Sequence, residues 1–247
     1  MPEMNLIVLT SVDSTNNYLQ QLVNQEMAME GTMVLGLEQS AGRGQRGKIW
    51  ESHPGLGLYC SILLQPRAWH VEKQFVLNKA VAVGVALYLE SKTSSDIRIK
   101  WPNDLMADGK KIAGVLIENN VRGSFLSSVI AGIGINLNQA QLSDKFETPA
   151  TSLHLLTKGS FDAEAEAQEL FRYLWQSYGQ LISGESNWVE AQYQHRLYKQ
   201  GIRSAFTNND ELFFGELESV NDSGQACIKV DGITGSYSHP VVRFYAG

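Results

Sequence analysis

Residues 39–50 form a glycine-rich, cationic segment that reads QSAGRGQRGKIW. Three glycines lie among two arginines and a lysine, and a tryptophan closes the segment. Glycine lets the backbone take positive φ and approach a ligand closely. Exposed backbone amides beside Arg and Lys make a site for an anion. This segment, called the glycine segment below, is therefore predicted to hold the phosphates of a nucleotide.

The same segment spells G-x-G-x-x-G through Gly42, Gly44 and Gly47. A dinucleotide-binding fingerprint requires a helix to open at the third glycine. Here the chain continues as Lys-Ile-Trp-Glu-Ser-His-Pro-Gly, so that interpretation is rejected. A charged surface loop without a ligand is the remaining alternative.

A second candidate is the run Lys-Trp-Pro-Asn-Asp at residues 100–104. Pro102 stiffens the turn and pushes Trp101 toward an extended conformation. Asn103 and Asp104 are then expected at the end of a strand. Asp104 could act as a base or orient a lysine, and the alternative is an Asx turn.

Lysine and glycine residues in two later strands complete the set. Lys111 opens an apolar strand, and Gly114 follows three residues later. A lysine beside such a glycine can bridge a carboxylate and a phosphate, whereas most surface lysines are only solvated charges. The second of these strands contains Gly132 and Gly134, which have no side chains, and ends on Asn136. Strand glycines often mark the close approach of a ligand, with a β-bulge as the alternative.

The overall composition is that of a soluble globular protein, with 43% hydrophobic and 19% charged residues. The formal net charge of −6 argues against nucleic acid as the main partner, so the cationic segment suits a small anionic ligand. No apolar run reaches membrane-spanning length, and the N-terminus lacks the basic lead of a signal peptide. The two cysteines look like buried thiols. We expect a cytoplasmic protein without a membrane partner.

Hydrophobic periodicity predicts the elements that must position these stretches. Residues 75–91 are predicted to form a helix that is buried over most of its circumference. Antiparallel hairpins and separate helices favour an α+β sheet over a doubly wound one. Strands are predicted at 6–9, 32–38, 56–64, 97–100, 111–118 and 125–135, and further helices after Asp13, at 162–182 and at 187–195.

From about residue 197 the sequence pattern is that of short strands separated by turns. Strands are predicted at 202–207, 211–220, 226–230 and 236–244, which together form a small β-barrel. Two domains are therefore expected, at residues 1–195 and 196–247. Residues 136–152 are polar and irregular, long enough for a loop that is functional or mobile.

Together these stretches resemble the biotin–protein ligases. The motifs occur in the same order and at comparable spacing, from about Asn5 to the end of the chain. The run at 100–104 is the most specific, followed by the arginine–glycine segment. The resemblance is carried by Asp13-Ser14-Thr15-Asn16, Gln39 with Gly42-Arg43-Gly44, residues 100–104, Lys111 with Ala113-Gly114, and residues 132–136.

The resemblance implies a fold and an activity. The implied fold is α+β, with a mixed, largely antiparallel sheet and helices packed on it as in class II synthetases, followed by a small SH3-like β-barrel. The implied enzyme uses ATP and Mg²⁺ to convert biotin to biotinyl-5′-AMP. It then passes biotin to one lysine of the biotin carboxyl carrier domain of a carboxylase. A monomer or a homodimer is expected.

Carried over position by position, the resemblance implies three catalytic residues, Lys111, Arg43 and Asp104. Lys111 would contact both the biotin carboxylate and the α-phosphate, and Asp104 would orient or deprotonate the acceptor lysine. Mg²⁺ would be held through the phosphates near Asn136, without a direct protein ligand. The implied biotin-binding residues are Ser14, Thr15, Asn16, Gln39, Arg43, Gly44, Gln45, Lys111, Gly114, Gly132 and Gly134. The implied ATP-binding residues are Arg43, Arg46, Lys48, Trp50, Asn103, Lys111 and Asn136.

Two departures from the family pattern bear on function. Relatives commonly have arginine where this chain has Gln45, and often where it has Lys48. Gln45 lacks a fixed charge and a bidentate donor, so retention of the adenylate is in question rather than its formation. The chain also leaves no room for an N-terminal helix-turn-helix, so no repressor activity is expected.

Two other functions remain open. A lipoate or octanoate ligase or transferase would share the fold, and the transferase branch needs a nucleophilic cysteine. Cys60 is expected on the apolar face of a strand, where a thiol is inert. An RNA-binding module built on the Gly/Arg loop is the other alternative. The acidic bulk and the lack of a stacking aromatic platform count against it.

Overall fold

The computed structural model describes residues 4–142, 148–209 and 211–245. These residues form two β-sheets and a set of helices. The helices are α1 (Thr15–Asn24), α2 (Gln74–Lys92), α3 (Leu153–Thr157), α4 (Ala163–Ile182) and α5 (Ser186–His195). The strands of the larger sheet are β1 (Asn5–Leu9), β2 (Thr32–Gly36), β3 (Gly57–Leu64), β4 (Ile97–Lys100), β5 (Asp104–Ala107), β6 (Lys110–Arg122) and β7 (Phe125–Asn136). Those of the smaller sheet are β8 (Arg203–Asn208), β9 (Glu211–Val220), β10 (Ala226–Val230), β11 (Ile233–Tyr237) and β12 (Val242–Phe244).

The larger sheet is mixed and largely antiparallel, with strand order β1-β2-β3-β7-β6-β5-β4. β1 and β2 run parallel and are joined through α1, since parallel neighbours need a crossover connection. The other neighbours pair antiparallel. The predicted α+β class is therefore confirmed.

The two faces of this sheet are covered by different helices. α2 and α4 lie on one face, where Leu58, Cys60 and Ile62 of β3 enter the main core as predicted. α1 lies on the other face, over a small second core that includes Leu63 and Ile130. Because side chains alternate along a strand, every second residue of β3, β6 and β7 points to the α1 side.

Helix α2 is the central helix of the first face, and its predicted burial is confirmed. α2 packs against both the sheet and α4, so apolar residues surround it on nearly all sides. Gly84 marks the closest approach, because a Cβ there would lie 2.9 Å from the Cα of Leu174. A larger residue at this crossing would push the two helices apart.

The smaller sheet is antiparallel, with strand order β11-β10-β9-β8-β12. Its core contains Phe206, whose ring stacks on Phe213 and lies 4.7 Å from the centroid of Phe244. The single strand predicted at 236–244 is wrong, because β11 ends at Tyr237 and β12 begins at Val242. Pro240 lies between them and has no backbone donor for a ladder. The division into domains at residue 195 stays a prediction.

Two further elements, β5 and α3, were not predicted from the sequence. β5 reads Asp-Leu-Met-Ala, which does not alternate as the equally short β4 does, and α3 is a five-residue helix, too short to show a helical period. The predicted hairpin turn at Asp108-Gly109 is confirmed between β5 and β6, with positive φ at both residues. Among the described residues, no helix combines the length and the apolar character needed to cross a membrane.

Candidate active site

A cleft of about 840 Å³ opens on the α1-facing side of the larger sheet and extends to the smaller sheet. The cleft brings together every residue that the sequence analysis singled out for biotin or ATP. Its lining includes Ser14, Thr15, Asn16, Gln39, Arg43, Gly44, Gln45, Arg46, Lys48, Trp50, Asn103, Asp104, Lys111, Gly114, Gly132, Gly134 and Asn136.

The strand glycines form a flat floor under the indole of Trp50. Gly114 of β6 pairs with Gly134 of β7 across the sheet. A Cβ at Gly134 would overlap the indole, and one at Gly114 would lie 2.9 Å from Trp50 Cζ3. The β6–β7 irregularity falls at Asn120/Val121, so the bulge alternative for these glycines is wrong. The group that approaches these glycines in the structure is the Trp50 side chain, and the approach of a ligand stays a prediction.

Lys111 and Asp104 form an ion pair in the cleft. Lys111 Nζ lies 2.5 Å from Asp104 Oδ1, and the two side chains are 28% and 21% exposed. The ammonium also lies 5.3 Å from the centroid of the Trp50 ring, within range of a cation–π contact. The carboxylate therefore lies where it can orient the lysine, and both roles predicted for Asp104 stay predictions.

A β-bulge aims Lys111 at the cleft. In the pairing of β5 with β6, Leu105 faces Ala113 and Met106 faces Lys111, so Ile112 is the extra residue. Ile112 and Ala113 are both fully buried in the main core on the opposite face. Because two consecutive residues point to the core at this bulge, the Lys111 side chain lies on the same side of the sheet as Gly114.

The turn before β5 is fixed by long-range hydrogen bonds. Asn103 Nδ2 donates to the carbonyl oxygen of Val115 in β6, and the Val115 amide donates to the carbonyl of Asn103. Trp101 is buried, and its Nε1 donates to the carbonyl of Gly224 in the turn between β9 and β10. Asp104 therefore begins its strand from a rigid turn.

A buried polar cluster lies at the N-terminus of α1, and it contains Ser14, Thr15, Asn16, Gln39 and Ser61. The Thr15 amide donates to Gln39 Oε1 over 2.9 Å. Ser61 Oγ lies 2.5 Å from Asn16 Oδ1 and 2.7 Å from Thr15 Oγ1. Ser61 was missed by the sequence analysis. Its signal is a polar residue inside a fully buried strand.

Arg43 makes an ion pair with Glu118, which the sequence analysis did not select. Arg43 Nη2 donates to Glu118 Oε2 over 2.7 Å, with side chains 41% and 37% exposed. Asn16 Nδ2 donates to the same oxygen over 2.7 Å. The role of Arg43 at a phosphate stays a prediction, and in this structure its guanidinium lies on Glu118.

The glycine segment folds back on itself as a short hairpin. The Trp50 amide donates to the Gly42 carbonyl, and the Gly44 amide donates to the Lys48 carbonyl. Arg46 at the tip has φ of 57°. Its Nη2 donates to the carbonyl of His239 in the connection between β11 and β12. The hairpin thus bridges the two sheets.

The cleft is cationic although the chain is acidic. Among the described lining residues, six are Lys or Arg and only Glu51 and Asp104 are carboxylates. The smaller sheet contributes Arg243 and Phe244 to the lining of the cleft, and His239 lies beside them in the connection between β11 and β12. The lining formed by these residues, Arg46 and Lys48 is called the cationic wall below. Burial, helped by the charges of Arg46 and Lys48, lowers the pKa of His239 to about 4. The imidazole is therefore neutral at pH 7. The excess of Lys and Arg in the cleft favours a small anionic ligand.

Amide groups line another part of the cleft, beyond the end of β7. Asn136 Nδ2 donates to the Thr151 carbonyl, and Asn136 Oδ1 accepts from Gln139 Nε2 over 3.3 Å. Gln139 Oε1 is buried and has no hydrogen-bond partner in the described structure. No group of three or more His, Cys, Asp or Glu side chains that could hold a metal ion occurs within the described ranges.

Comparison with known proteins identifies related sequences. A model described as the biotin/lipoate A/B protein ligase family matches residues 8–136, more than half of the chain. The chain is 29% identical over 237 residues to the bifunctional ligase/repressor BirA of Bacillus subtilis (strain 168), covering 95% of this chain and 72% of that protein. It is 28% identical over 236 residues to the biotin–[acetyl-CoA-carboxylase] ligase of Mycobacterium tuberculosis, covering 93% and 85%.

A solved structure has the same fold over nearly the whole chain. The biotin protein ligase from Aquifex aeolicus, in complex with biotin and ATP, matches with a TM-score of 0.81 at 26% identity. The match covers 97% of this chain and 99% of that one, so it includes both sheets. The resemblance to biotin–protein ligases is thereby confirmed, and the chain belongs to the biotin/lipoate A/B protein ligase family.

Proposed function

We propose that the protein is an ATP-dependent biotin–protein ligase that forms biotinyl-5′-AMP and transfers biotin to a lysine of a biotin carboxyl carrier domain. The observation that carries this proposal is the Lys111–Asp104 pair. It shares one cleft with the buried polar cluster and with the cations of the glycine segment. A carboxylate substrate and a nucleotide can therefore meet at Lys111.

In the first step, a carboxylate oxygen of biotin attacks the α-phosphorus of ATP and pyrophosphate leaves. Two anions must approach each other, so the catalyst has to neutralise their repulsion and the charge that develops. Lys111 would hold the biotin carboxylate and the α-phosphate together. Arg46 and Lys48 would receive the outer phosphates, since both line the same cationic wall.

The polar cluster would bind the head of biotin. Ser14, Thr15 and Asn16 are nearly fully buried, so their polar atoms are shielded from water. A buried set of hydroxyl and amide groups offers both donors and acceptors, which a cyclic urea requires. A ligand that failed to pair with them would leave buried polar groups unsatisfied, and this penalty gives specificity.

Mg²⁺ would enter with the nucleotide and neutralise charge on its phosphates. The resemblance implies that the phosphates hold the ion without a direct protein ligand. Hard cations prefer oxygen ligands, and we add the amide oxygens of Asn136 and Gln139, at the end of β7, as candidates to assist them. The unpartnered Gln139 Oε1 fits this role, since a buried amide oxygen normally has a partner.

In the second step, the amine of the acceptor lysine attacks the carbonyl of the adenylate, and AMP leaves. At neutral pH only about one lysine amine in a few thousand is unprotonated. Asp104 would orient that amine or accept its proton. The adenylate is a mixed anhydride that water destroys, so the glycine segment would cover it. Residues 136–152, predicted above as a functional or mobile loop, would share this covering role, and residues 143–147 of that loop lie outside the described residues.

One structural finding counts against a cysteine-dependent acyl transferase. Cys60 is 1% exposed in the main core, and burial raises the pKa of its thiol to about 12. A protonated, inaccessible thiol cannot serve as a nucleophile. A lipoate ligase needs no such cysteine, so the choice of acid must be tested directly.

The decisive experiment incubates the protein with ATP, Mg²⁺ and a carrier domain, with biotin in one reaction and lipoate in a parallel one. Intact mass spectrometry then reads the carrier. We expect one biotinyl group per carrier, only when ATP is present. Lipoylation without biotinylation would contradict the proposal, and so would an unmodified carrier in both reactions. The cytoplasmic location, the monomeric or dimeric state and the absence of nucleic-acid partners stay predictions.

A further inference from the structure

We propose that Glu118 is a positioning residue that fastens the glycine segment to the biotin-binding end of the cleft. This inference rests on the proposed function for the identity of the ligand. The anchoring itself rests only on contacts in the structure. Glu118 lies on β6, on the same side of the sheet as Gly114 and Leu116.

One carboxylate oxygen of Glu118 joins three parts of the molecule. Glu118 Oε2 accepts from Arg43 Nη2 and from Asn16 Nδ2, each over 2.7 Å. Arg43 belongs to the glycine segment and Asn16 to the first turn of α1. A hydrogen bond between charged groups is stronger than one between neutral groups, and an anionic acceptor suits a guanidinium.

The contacts of Glu118 continue into the polar cluster and return to the glycine segment. Asn16 Oδ1 contacts Ser61 Oγ, and Ser61 Oγ contacts Thr15 Oγ1. The amide of Thr15 then donates to Gln39 Oε1. This series of contacts therefore begins at Arg43 and ends at Gln39, so both its ends belong to the glycine segment. The groups proposed to bind biotin thus also set the position of that segment.

The place of Glu118 on β6 separates Arg43 from the reaction centre. Three residues of strand lie between Gly114 and Glu118, so their Cα atoms are about 13 Å apart along β6. While Arg43 contacts Glu118, its guanidinium lies toward α1 and away from Lys111. Arg43 in this structure therefore orders the segment at the biotin end. Arg46 at the tip of the hairpin contacts His239, and Lys48 follows it; both line the part of the cleft where the phosphates are proposed to bind.

The simplest alternative is a half-exposed ion pair without consequence, since such pairs often contribute little to stability. Two observations argue otherwise. Asn16, the second partner, is 3% exposed, so water cannot replace Glu118 as the acceptor for its amide group. The Glu118 carboxylate also connects α1, the glycine segment and β6, which are far apart in sequence.

The first test needs no ligand. Trypsin cleaves after Arg46 and Lys48 when the glycine segment opens, and mass spectrometry measures the rate. Glu118→Gln keeps the shape but removes the charge, and we expect cleavage about three- to fivefold faster, as for the loss of a half-exposed ion pair. Arg43→Gln should give a similar increase, and the double variant should add little to either. Glu164→Gln, on the exposed side of α4, is the matched control and should match the wild type.

The second test separates the two ends of the cleft. In biotin-dependent ATP–pyrophosphate exchange, Glu118→Gln should raise the KM for biotin by about three- to fivefold. The KM for ATP and kcat should change by less than about twofold, because the nucleotide end is anchored separately. A structural defect alone would change all three and lower the unfolding temperature. Glu118→Asp, which keeps the charge but shortens the side chain that reaches Arg43 and Asn16, replaces Glu118→Gln if the latter does not fold.

Unchanged trypsin cleavage in both variants would overturn the anchoring role. Faster cleavage with an equal rise in both KM values would overturn its assignment to the biotin end. If the wild-type protein shows no biotin-dependent exchange, the proposed function fails instead. The trypsin result would then still decide whether Glu118 anchors the segment.

Discussion

The ammonium nitrogen of Lys111 lies 2.5 Å from Asp104 Oδ1, and both groups line the cleft under the indole of Trp50. Asp104 begins β5 and Lys111 lies near the start of β6, so adjacent strands set their separation. The carboxylate fixes the ammonium where an anionic substrate would meet it. A substrate carboxylate must then share this ammonium with Asp104.

Lys111→Ala should lower biotin-dependent ATP–pyrophosphate exchange by about 100-fold or more, because the charge that bridges the two anions is lost. Lys110→Ala is the matched control, since Lys110 is the exposed neighbour on the same strand. Circular dichroism should show an unchanged fold in both variants. Normal exchange in the Lys111 variant would refute its role.

Asp104→Asn should slow transfer to the carrier by about 100-fold while changing adenylate formation by less than about threefold. The amide retains the shape but neither accepts a proton nor attracts the acceptor ammonium. Single-turnover reactions that start from preformed adenylate separate the two steps. Asp222→Asn, in an exposed turn, serves as the control. An equal loss in both steps would restrict Asp104 to orienting Lys111.

Gln45→Arg should prolong the lifetime of the bound adenylate by about three- to tenfold, because a guanidinium adds charge and a bidentate donor beside a phosphate. The measurement is the release of radiolabelled adenylate after gel filtration. Gln168→Arg adds the same charge on the exposed side of α4 and should leave the release rate unchanged. Equal release rates for the wild type and the Gln45 variant would show that position 45 does not hold the adenylate.

Gly134→Ala should lower biotin-dependent exchange by about tenfold or more, because the added methyl group would overlap Trp50 and displace the glycine segment. Gly179→Ala is the control. A Cβ there meets nothing within 4 Å, and alanine favours a helix. We expect that variant to gain about 0.5–1 kcal/mol of unfolding free energy in urea titrations. Full activity of the Gly134 variant would show that Trp50 need not rest on the floor.

The sequence predicted the fold well where alternation and helical periodicity run long. β3 and α2 are examples, since each has enough apolar residues to define its period. β5 was not predicted because Asp-Leu-Met-Ala does not alternate between apolar and polar residues, and β12 was not resolved because the single strand predicted at 236–244 included Pro240. Turn chemistry gave the Asp108-Gly109 hairpin directly.

The cleft was predictable where its residues occur in local motifs. Lys111, the strand glycines and the glycine segment were found because each motif lies within a few residues. His239 and Arg243 were missed because they meet the cleft across more than a hundred residues, and no local pattern encodes that contact. Glu118 and Ser61 left a weaker signal, as polar residues on strands that are otherwise apolar.

The bulge at Ile112 makes the pairing of β5 with β6 a condition for the proposed activity. If β6 kept all its residues but paired with β5 in a regular ladder, Ile112 would face Met106 and Lys111 would face Ala107. Because side chains alternate along a strand, Lys111 would then point toward the core helices, like Ala107, and away from Asp104. Such a chain could keep its architecture and still lose the lysine from the cleft. Substitutions that remove the bulge are therefore constrained by chemistry more than by folding.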